Sequence, residues 1–168
     1  LPNGDPVVVN ADGTVSVVSG VDTGLGSNTA FNQSGNSNFV SSAYDSANNK
    51  IVVVEGETNS QAFVGTVSGS SITFGAGATV DSSETEIFNV VFDTSNNKIV
   101  VAYKDGGDGD KVKARVGTVS GTSISFGSIV VVASNGGDGN MTFDSNANKV
   151  LITYVSGNTA YAVVGTVS

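Results

Sequence analysis

Three aspartates, Asp105, Asp108 and Asp110, lie close together in the glycine-rich segment KDGGDGDK. Calcium in proteins takes about six to eight oxygen ligands, which closely spaced carboxylates and backbone carbonyls can supply. The three side chains are therefore the candidate metal ligands of this sequence, with calcium as the candidate ion. The segment lacks the ligand order and the closing glutamate of an EF-hand, which favours a solvated hairpin loop over an ion site.

A second acidic group, Asp81, Glu84 and Glu86, occupies the segment DSSETE. Two carboxylates at a suitable separation can hydrolyse a glycosidic bond. The sequence contains no tryptophan to form a platform for a sugar ring, and the segment is strongly polar. We therefore expect a solvated loop here rather than a catalytic pair.

The composition argues against several other kinds of chemistry. The chain of 168 residues contains no histidine and no cysteine, which removes the usual general base, the thiolate nucleophile and any thiolate metal site. A net charge of −8, with only 7 lysines and arginines, is unsuited to binding nucleic acid or an anionic membrane surface. No apolar run of about 18 residues is present, so no membrane-spanning helix is predicted. The sequence thus predicts a non-enzymatic protein without a cofactor.

The sequence repeats itself. The segment VGTVSG occurs at residues 64–69 and again at 116–121, and VGTVS occurs at 164–168. Around these segments, three stretches of roughly 50 residues align with one another. Each stretch contains a turn sequence in which a lysine follows an aspartate. The aspartates are Asp45, Asp93 and Asp144, and the lysines are Lys50, Lys98 and Lys149.

Within one unit, short β-rich runs alternate with turn sequences. In the second unit the runs are VVF, KIVVAY, ARVGTVS and SISFG, and the segments between them are rich in Asp, Ser, Asn and Gly. Such segments connect antiparallel strands in hairpins. No stretch has the 3.6-residue period of a helix. Each unit is therefore predicted to contain four short antiparallel strands, and the protein is predicted to be all-β.

The strand KIVVAY indicates how the units are arranged. Ile99, Val101 and Tyr103 point to one of its faces, and Val100 and Ala102 point to the other. Because both faces are apolar, the sheet must be covered on both sides. We predict a β-propeller-like stack, in which four-stranded units pack face to face. The alternatives are a β-sandwich, which would leave one face of each sheet polar, and a β-solenoid, whose repeats are usually shorter.

The third unit lacks a fourth strand, which leaves a sheet edge unpaired. A predicted N-terminal hairpin, a neighbouring subunit or further residues of a longer chain could complete it. The chain begins with leucine rather than methionine, as processed chains and pieces of longer chains do. The predicted organisation is an N-terminal hairpin at 1–20, a polar loop at 21–38, a first repeat at 39–86, a second repeat at 87–139 and an incomplete third repeat at 140–168.

Residues that recur at one place in each unit are predicted to have structural roles. The turn aspartates should accept backbone N–H bonds, and the lysines should cover strand ends. Gly65, Gly117 and Gly165 each lie inside a strand, where glycine marks a bulge or a close approach. Tyr103 and Tyr154 share a position in the second strand of their units, which predicts packing in the core.

Four stretches of the chain resemble a repeat of structural proteins of tailed phages, especially tail fibres of phages that infect marine plankton. The stretches are DSANNKIVVV, DTSNNKIVVAY, VGTVSGTSISFG and the N-terminal LPNGDPVVVNADGTVSVV. The resemblance covers most of the chain from Phe39 to Ser168 and the first 18 residues. It implies a host-facing or particle-decorating role, on a virion or outside the cell. It does not indicate which part of a virion.

Three functional hypotheses follow from these observations. The leading one is a non-enzymatic virion or extracellular structural protein, a phage fibre or decoration component, whose repeats form a rigid β platform. Its expected partners are further copies of itself or other virion proteins. The alternative is a propeller module that binds a cell-surface glycan or a host receptor, because the loops differ between otherwise matching units. A glycosidase on a propeller scaffold is the third and least supported.

Overall fold

The structure, a computed structural model, describes residues 7–17, 25–32 and 37–167. Apart from one short 3-10 helix at Gly106–Asp108, the regular elements of these residues are β-strands. Their pairings are antiparallel, so the described chain is all-β, as the sequence predicts. None of its helices is long and apolar enough to cross a membrane. The described strands close into neither a barrel nor a propeller ring.

We group the strands by the predicted sequence repeats in which they lie. The strands are β1 (Val7–Val9), β2 (Val15–Val17), β3 (Ser37–Asp45), β4 (Lys50–Ser68), β5 (Ser71–Phe74), β6 (Ala78–Asp93), β7 (Lys98–Asp105), β8 (Lys111–Ser120), β9 (Ser123–Phe126), β10 (Val130–Ala133), β11 (Gly139–Asp144), β12 (Lys149–Ser156) and β13 (Thr159–Gly165).

The N-terminal hairpin consists of β1 and β2, which pair from Val7↔Val17 to Val9↔Val15. In its turn, Asp12 accepts a hydrogen bond of 2.9 Å from the Thr14 backbone N–H, as short polar turn residues commonly do. The two strands form a sheet of their own. Within the described residues, the hairpin therefore does not complete the open edge of the third unit.

The first unit is built from β3, β4, β5 and the start of β6. β3 pairs with the first half of β4, and β4 then folds back on itself. The fold-back is evident because Lys50 Nζ donates a hydrogen bond of 2.9 Å to Thr66 Oγ1, whereas a straight strand would hold these residues about 50 Å apart. Asn59, with a φ of 59°, lies at the bend. β5 and the start of β6 pair with the returning half of β4.

The second unit repeats this order, but it is not a separate sheet. β6 pairs with β4 through residues up to Glu84 and with β7 from Thr85 onward. β8 then pairs with β7 on one edge, and with β9 and β10 on the other. Because β6 belongs to both units, the first two units form one eight-stranded sheet.

The prediction of a solvated loop at the segment DSSETE is wrong, because this segment lies within β6. Asp81 is only 8% exposed, and Ser60 Oγ accepts a hydrogen bond of 3.1 Å from its backbone N–H. The side chains that contact this segment are polar, as Ser60 is. A strand with polar contacts need not have the apolar alternation from which buried strands are predicted.

The third unit contains three paired strands in the order β11, β12, β13. β11 and β12 pair from Gly139↔Tyr154 to Asp144↔Lys149, and β12 pairs with β13 from Val150↔Gly165 to Ser156↔Thr159. No described strand lies along the free edge of β13.

The three units pack against one another through two apolar cores. The first core contains Val52 and Val54 from the first unit and Ile99, Val101 and Tyr103 from the second. The second core packs the opposite face of the same β7 strand against the third unit. Its buried members are Val100, Ala102, Val112, Met141, Val150, Ile152 and Val167. The prediction that KIVVAY is covered on both faces is confirmed, since residues 99–103 are each at most 3% exposed.

Part of the outer face of the first unit, around Phe63, Phe74 and Glu55, is covered by Phe31 and Asn32. The Phe31 ring lies 5.4 Å from the Phe63 ring and 5.3 Å from the Phe74 ring, measured between centroids. Asn32 Nδ2 and Ser37 Oγ donate hydrogen bonds to the buried Glu55 carboxylate, at 3.1 and 2.7 Å. This cover makes the two ends of the stack different from each other.

Candidate functional site

The three candidate calcium ligands lie between β7 and β8, and each faces a lysine. Asp105 is 1% exposed, and its Oδ1 atom caps the 3-10 helix by accepting a bond of 3.0 Å from Asp108 N. Its other oxygen, Oδ2, contacts Lys113 Nζ. Asp108 contacts Lys113 at 2.9 Å and Lys111 at 2.8 Å. Asp110 Oδ1 lies 3.8 Å from the ammonium of Lys104.

Two residues of β6 extend this acidic cluster across the boundary between the first and second units. Ser83 Oγ lies 2.8 Å from both Asp81 Oδ1 and Asp105 Oδ1, so its single proton serves two carboxylates. Tyr103 OH donates a hydrogen bond of 2.9 Å to Asp81 Oδ2. We refer to Asp81, Ser83, Tyr103, Asp105 and Lys113 as the seam cluster.

The seam cluster shifts the pKa values of three of its members. Burial opposes ionisation of Asp81, but the hydrogen bonds from Ser83 and Tyr103 outweigh it and hold the Asp81 pKa below its usual range. Burial and the bond to Asp81 raise the pKa of Tyr103 far above its usual range. Burial acts to lower the pKa of Lys113, but hydrogen bonds to Asp105 and Asp108 prevail and raise it. At neutral pH Asp81 is therefore ionised, Tyr103 is neutral and Lys113 is charged.

The carboxylates of this region have internal counter-charges. The described residues include no group of three or more acidic side chains arranged to hold a metal ion. Calcium would have to compete with Lys113 and Lys111 for oxygen atoms that already accept their hydrogen bonds. The calcium site at Asp105, Asp108 and Asp110 stays a prediction for a binding measurement. The second acidic group is also divided, because Glu84 is exposed whereas Glu86 pairs with Lys104.

Sequence reasoning missed the cationic side of the seam cluster. Lys111, Lys113 and Arg115 alternate with apolar residues in β8 and so share one face of the strand. Arg115 donates hydrogen bonds to the carbonyls of Val80 and Gly127, at 2.5 and 2.8 Å. Three cations on one face of a strand in a buried sheet require nearby acceptors. This alternation was the signal that could have predicted carboxylates opposite β8.

The recurring turn residues have the structural roles that the sequence predicts. Asp45 Oδ1 accepts backbone N–H bonds of 3.0 Å from Ala47 and Asn48, and Asp93 and Asp144 make equivalent bonds. The lysine of each turn donates to a threonine of the third strand. These pairs are Lys50–Thr66, Lys98–Thr118 and Lys149–Thr166, at 2.8 to 2.9 Å. The repeated residues close the hairpins.

The recurring glycines have a packing role that differs between units. A Cβ atom on Gly65 would lie 2.7 Å from Ile72 Cδ1, and one on Gly117 would lie 2.7 Å from Ile124 Cδ1. Glycine is required there because strand four places an isoleucine and a phenylalanine over the position. A Cβ atom on Gly165 would meet only the Val150 carbonyl oxygen, at 3.9 Å. The third glycine thus faces open space.

The two ends of the stack expose apolar side chains. On the outer face of the third unit, Val155 is 40% and Val164 is 64% exposed. On the outer face of the first unit, Val40, Tyr44 and Val67 are each at least half exposed. The equivalents of Val164 in the other units, Val64 and Val116, pack in or against the cores. The outer face of the third unit therefore corresponds to a face that is covered in both preceding units.

A cleft of about 250 Å³ opens between the second and third units, beside the free edge of β13. It is mainly apolar, and its lining includes Ala114 and Val116 of β8, Val130 of β10, Ile152 of β12 and Val163 of β13. The matching space between the first and second units holds Ile124 and Phe126. The cleft is therefore the space that a fourth strand of the third unit would fill.

Comparison of the chain with known protein families, with curated proteins and with solved structures gives no match.

Proposed function

We propose that this protein is a non-enzymatic structural module, a propeller-like stack of four-stranded units that assembles end to end with further copies of itself. The observation that carries the proposal is the outer face of the third unit, which exposes Val155 and Val164 and whose equivalents in the first two units are covered by the next unit. A sheet face with this pattern is stable in water only when it is small or when another layer covers it.

The opposite end of the stack supplies a complementary surface. Val40, Tyr44 and Val67 lie on the face of the first unit that points away from the second, and that face corresponds to the one that the second and third units present to the unit before them. Contact between unlike ends is heterologous, and a heterologous contact that does not close into a ring makes an open filament. End-to-end stacking therefore extends the packing already present within the chain.

The acidic residues support a structural role over a catalytic one. Asp81 and Asp105 are bound by tyrosine, serine and lysine side chains inside a boundary between units. A general acid or base must reach a substrate proton, whereas these carboxylates are at most 8% exposed. The seam cluster fastens neighbouring units together.

The place of such an assembly is inferred from the sequence alone. The repeats resemble those of virion structural proteins, which supports a position on a phage particle or another extracellular surface. Low charge density and an excess of acidic residues, with 15 Asp and Glu against 7 Lys and Arg, suit a surface that must not bind nucleic acid. We therefore propose a fibre or decoration component that carries no reaction of its own.

Sedimentation velocity over a wide concentration range, together with electron microscopy, tests this proposal. The wild type should form larger species as its concentration rises, with a repeating length in the images. Val164→Lys places a charge on the open face and should weaken assembly at least tenfold in concentration. Thr94→Lys, which adds the same charge at an exposed turn residue, is the matched control and should assemble like the wild type.

A wild-type chain that remains monomeric at every concentration would contradict end-to-end assembly. Equal behaviour of Val164→Lys and the wild type would show that assembly uses another surface. Circular dichroism of both variants verifies that the charge has not unfolded the third unit.

A further inference from the structure

The third strand of each unit carries a glycine, and the side chains that pack over this glycine indicate which strand binds next to it. At Gly65, the nearest atoms to a built Cβ belong to Ile72 and Phe74; at Gly117, they belong to Ile124 and Phe126. In both units the isoleucine and the phenylalanine come from the strand that pairs with the glycine strand. The glycine is thus the receptor position for an Ile-x-Phe strand.

Gly165 is the same position in the third unit, and there the receptor is empty. No side chain approaches its Cβ position within 4 Å, and the adjoining cleft of about 250 Å³ is lined mainly by apolar residues. The floor of this cleft continues the second core, because Val150, Ile152 and Val167 belong to both. The cleft therefore has the position and the lining that receive an Ile-x-Phe pair elsewhere in the molecule.

The backbone of the free edge is arranged to bind a strand as well. The Val64 carbonyl accepts a hydrogen bond of 3.0 Å from Gly75 N, and the Val116 carbonyl accepts one of 2.9 Å from Gly127 N. Gly75 and Gly127 directly follow the phenylalanines of the Ile-x-Phe strands. Val164 holds the equivalent place in β13, on the edge beside which no described strand lies. Added strands bind through such main-chain bonds, and side-chain pockets give them specificity.

We propose that the free edge of β13 and the cleft at Gly165 form a binding site for an extended polypeptide segment with the pattern Ile-x-Phe-Gly. The segment would pair antiparallel to β13, place its isoleucine and phenylalanine over Gly165, and donate its glycine N–H to the Val164 carbonyl. This site is an edge and a cleft, distinct from the outer face that we propose for end-to-end assembly.

The partner is a strand from outside these 168 residues, because both copies of the pattern within them are already used. Ile-x-Phe-Gly occurs at 72–75 and at 124–127, and both isoleucines and both phenylalanines lie over their own glycines. The N-terminal hairpin offers only valines at the corresponding spacing, in VVV and VSV. An aromatic residue is therefore the feature that distinguishes the partner strand.

A peptide with the sequence of residues 121–128, GTSISFGS, is the direct probe. With a fluorescent label, it should bind the wild-type chain saturably and with one site, as measured by anisotropy. A control peptide in which serine replaces both the isoleucine and the phenylalanine should bind at least tenfold more weakly. The protein concentration is kept below that at which sedimentation velocity detects assembly.

Two substitutions in the protein locate the site. Gly165→Val fills the receptor position and should abolish binding of the probe peptide, while circular dichroism verifies the fold; Gly165→Ala is the milder version and should weaken binding. Thr159→Val introduces the same residue type at an exposed position of the same strand, far from the cleft, and should bind like the wild type.

Three results would overturn the inference: no binding to the folded wild type, equal binding of both peptides, or binding that Gly165→Val leaves unchanged. Sedimentation of the same samples separates this inference from the proposed function. A chain that assembles without binding the peptide retains the end-to-end stack and loses the strand site. A chain that binds the peptide and stays monomeric retains the strand site and loses the end-to-end stack.

Discussion

The second and third units contain the same motif, VGTVS, in different surroundings. In the second unit, Gly117 lies beneath Ile124 and Phe126, and its sheet is covered on both faces. In the third, Gly165 faces a cleft and Val164 is 64% exposed. The motif VGTVS therefore indicates a strand that is suited to lie beside a fourth strand. Its glycine is needed only where the side chains of that fourth strand overlie it.

The two boundaries between units differ in a second way. The seam cluster joins the first and second units through bonds to buried carboxylates, since Tyr103 OH donates to Asp81 Oδ2 at 2.9 Å and Ser83 Oγ donates to Asp105 Oδ1 at 2.8 Å. The second and third units are joined by neutral groups: Gly137 N donates to the Val155 carbonyl at 2.6 Å, and Ser156 Oγ donates to Asn135 Oδ1 at 3.2 Å. The same strand architecture is thus held by charge-dependent bonds at one boundary and by neutral bonds at the other.

The largest expected effect comes from removing the cation of the seam cluster. Lys113→Ala leaves the buried Asp105 carboxylate without its cation, and removing one partner of a buried ion pair costs about 3–5 kcal/mol. Ser156→Ala at the neutral boundary removes a single hydrogen bond and should cost about 1 kcal/mol. Urea denaturation of both variants measures the two free energies of unfolding.

Lys111→Ala is the control for the charge itself, since Lys111 and Asp108 form an exposed pair. Exposed pairs contribute at most about 1 kcal/mol. If Lys111→Ala and Lys113→Ala destabilise the chain equally, the burial of the seam cluster has no energetic consequence.

The next effect compares two identical residues at equivalent positions. Val64 is fully buried and Val164 is 64% exposed. Val64→Ala removes two buried methyl groups and leaves a cavity, which should lower the free energy of unfolding by about 2 kcal/mol. Val164→Ala should change it by less than about 0.5 kcal/mol. A large loss with Val164→Ala, measured on monomers, would mean that the outer face of the third unit is covered.

Replacing the recurring glycine by alanine should have a smaller effect on stability, and this effect should be of opposite sign in the second and third units. Gly117→Ala places a methyl group 2.7 Å from Ile124 Cδ1, and overpacking of this kind costs about 1–3 kcal/mol. Gly165→Ala meets no side chain and should stabilise β13 by up to about 1 kcal/mol, because alanine loses less backbone entropy than glycine. Thermal unfolding of both variants provides the comparison, and destabilisation by Gly165→Ala would contradict an open receptor position.

The smallest effect is a titration. The pKa of Tyr103 is raised by burial and by its bond to Asp81, so the folded chain keeps this phenol neutral where an unfolded chain ionises it, near pH 10. The stability due to Tyr103 is therefore present below about pH 10 and lost as the pH rises further. In ultraviolet difference titrations, Tyr103→Phe should match the wild type while both are folded. An additional reversible tyrosinate signal in the folded wild type alone would contradict the prediction.

The parts of the fold that could be predicted from the sequence are those fixed by local residues. The turns at Asp45, Asp93 and Asp144 use short-range bonds to their own backbone, and the alternation in KIVVAY depends only on the geometry of one strand. Both were therefore visible in the printed sequence. The recurring glycines indicate points of close approach. The sequence does not indicate that side chains of the fourth strand make that approach.

The features that the sequence did not predict depend on partners far along the chain. Asp81 is buried against Ser60 of β4 and Tyr103 of β7, which lie 21 and 22 residues away along the chain. The segment DSSETE on its own is polar and has no apolar alternation, so it predicted a solvated loop. The open cleft at Gly165 also could not be predicted, since the same five letters are found in a covered unit and an uncovered one.

The shared strand β6 has a consequence for how the molecule comes apart. Because its first half belongs to one unit and its second half to the next, neither unit can lose this strand without the other. The third unit is connected to β10 only through residues 134–138 and makes its own sheet. In hydrogen exchange, amides of the first two units should therefore open as one cooperative block, and those of β11 to β13 should open earlier as a second block.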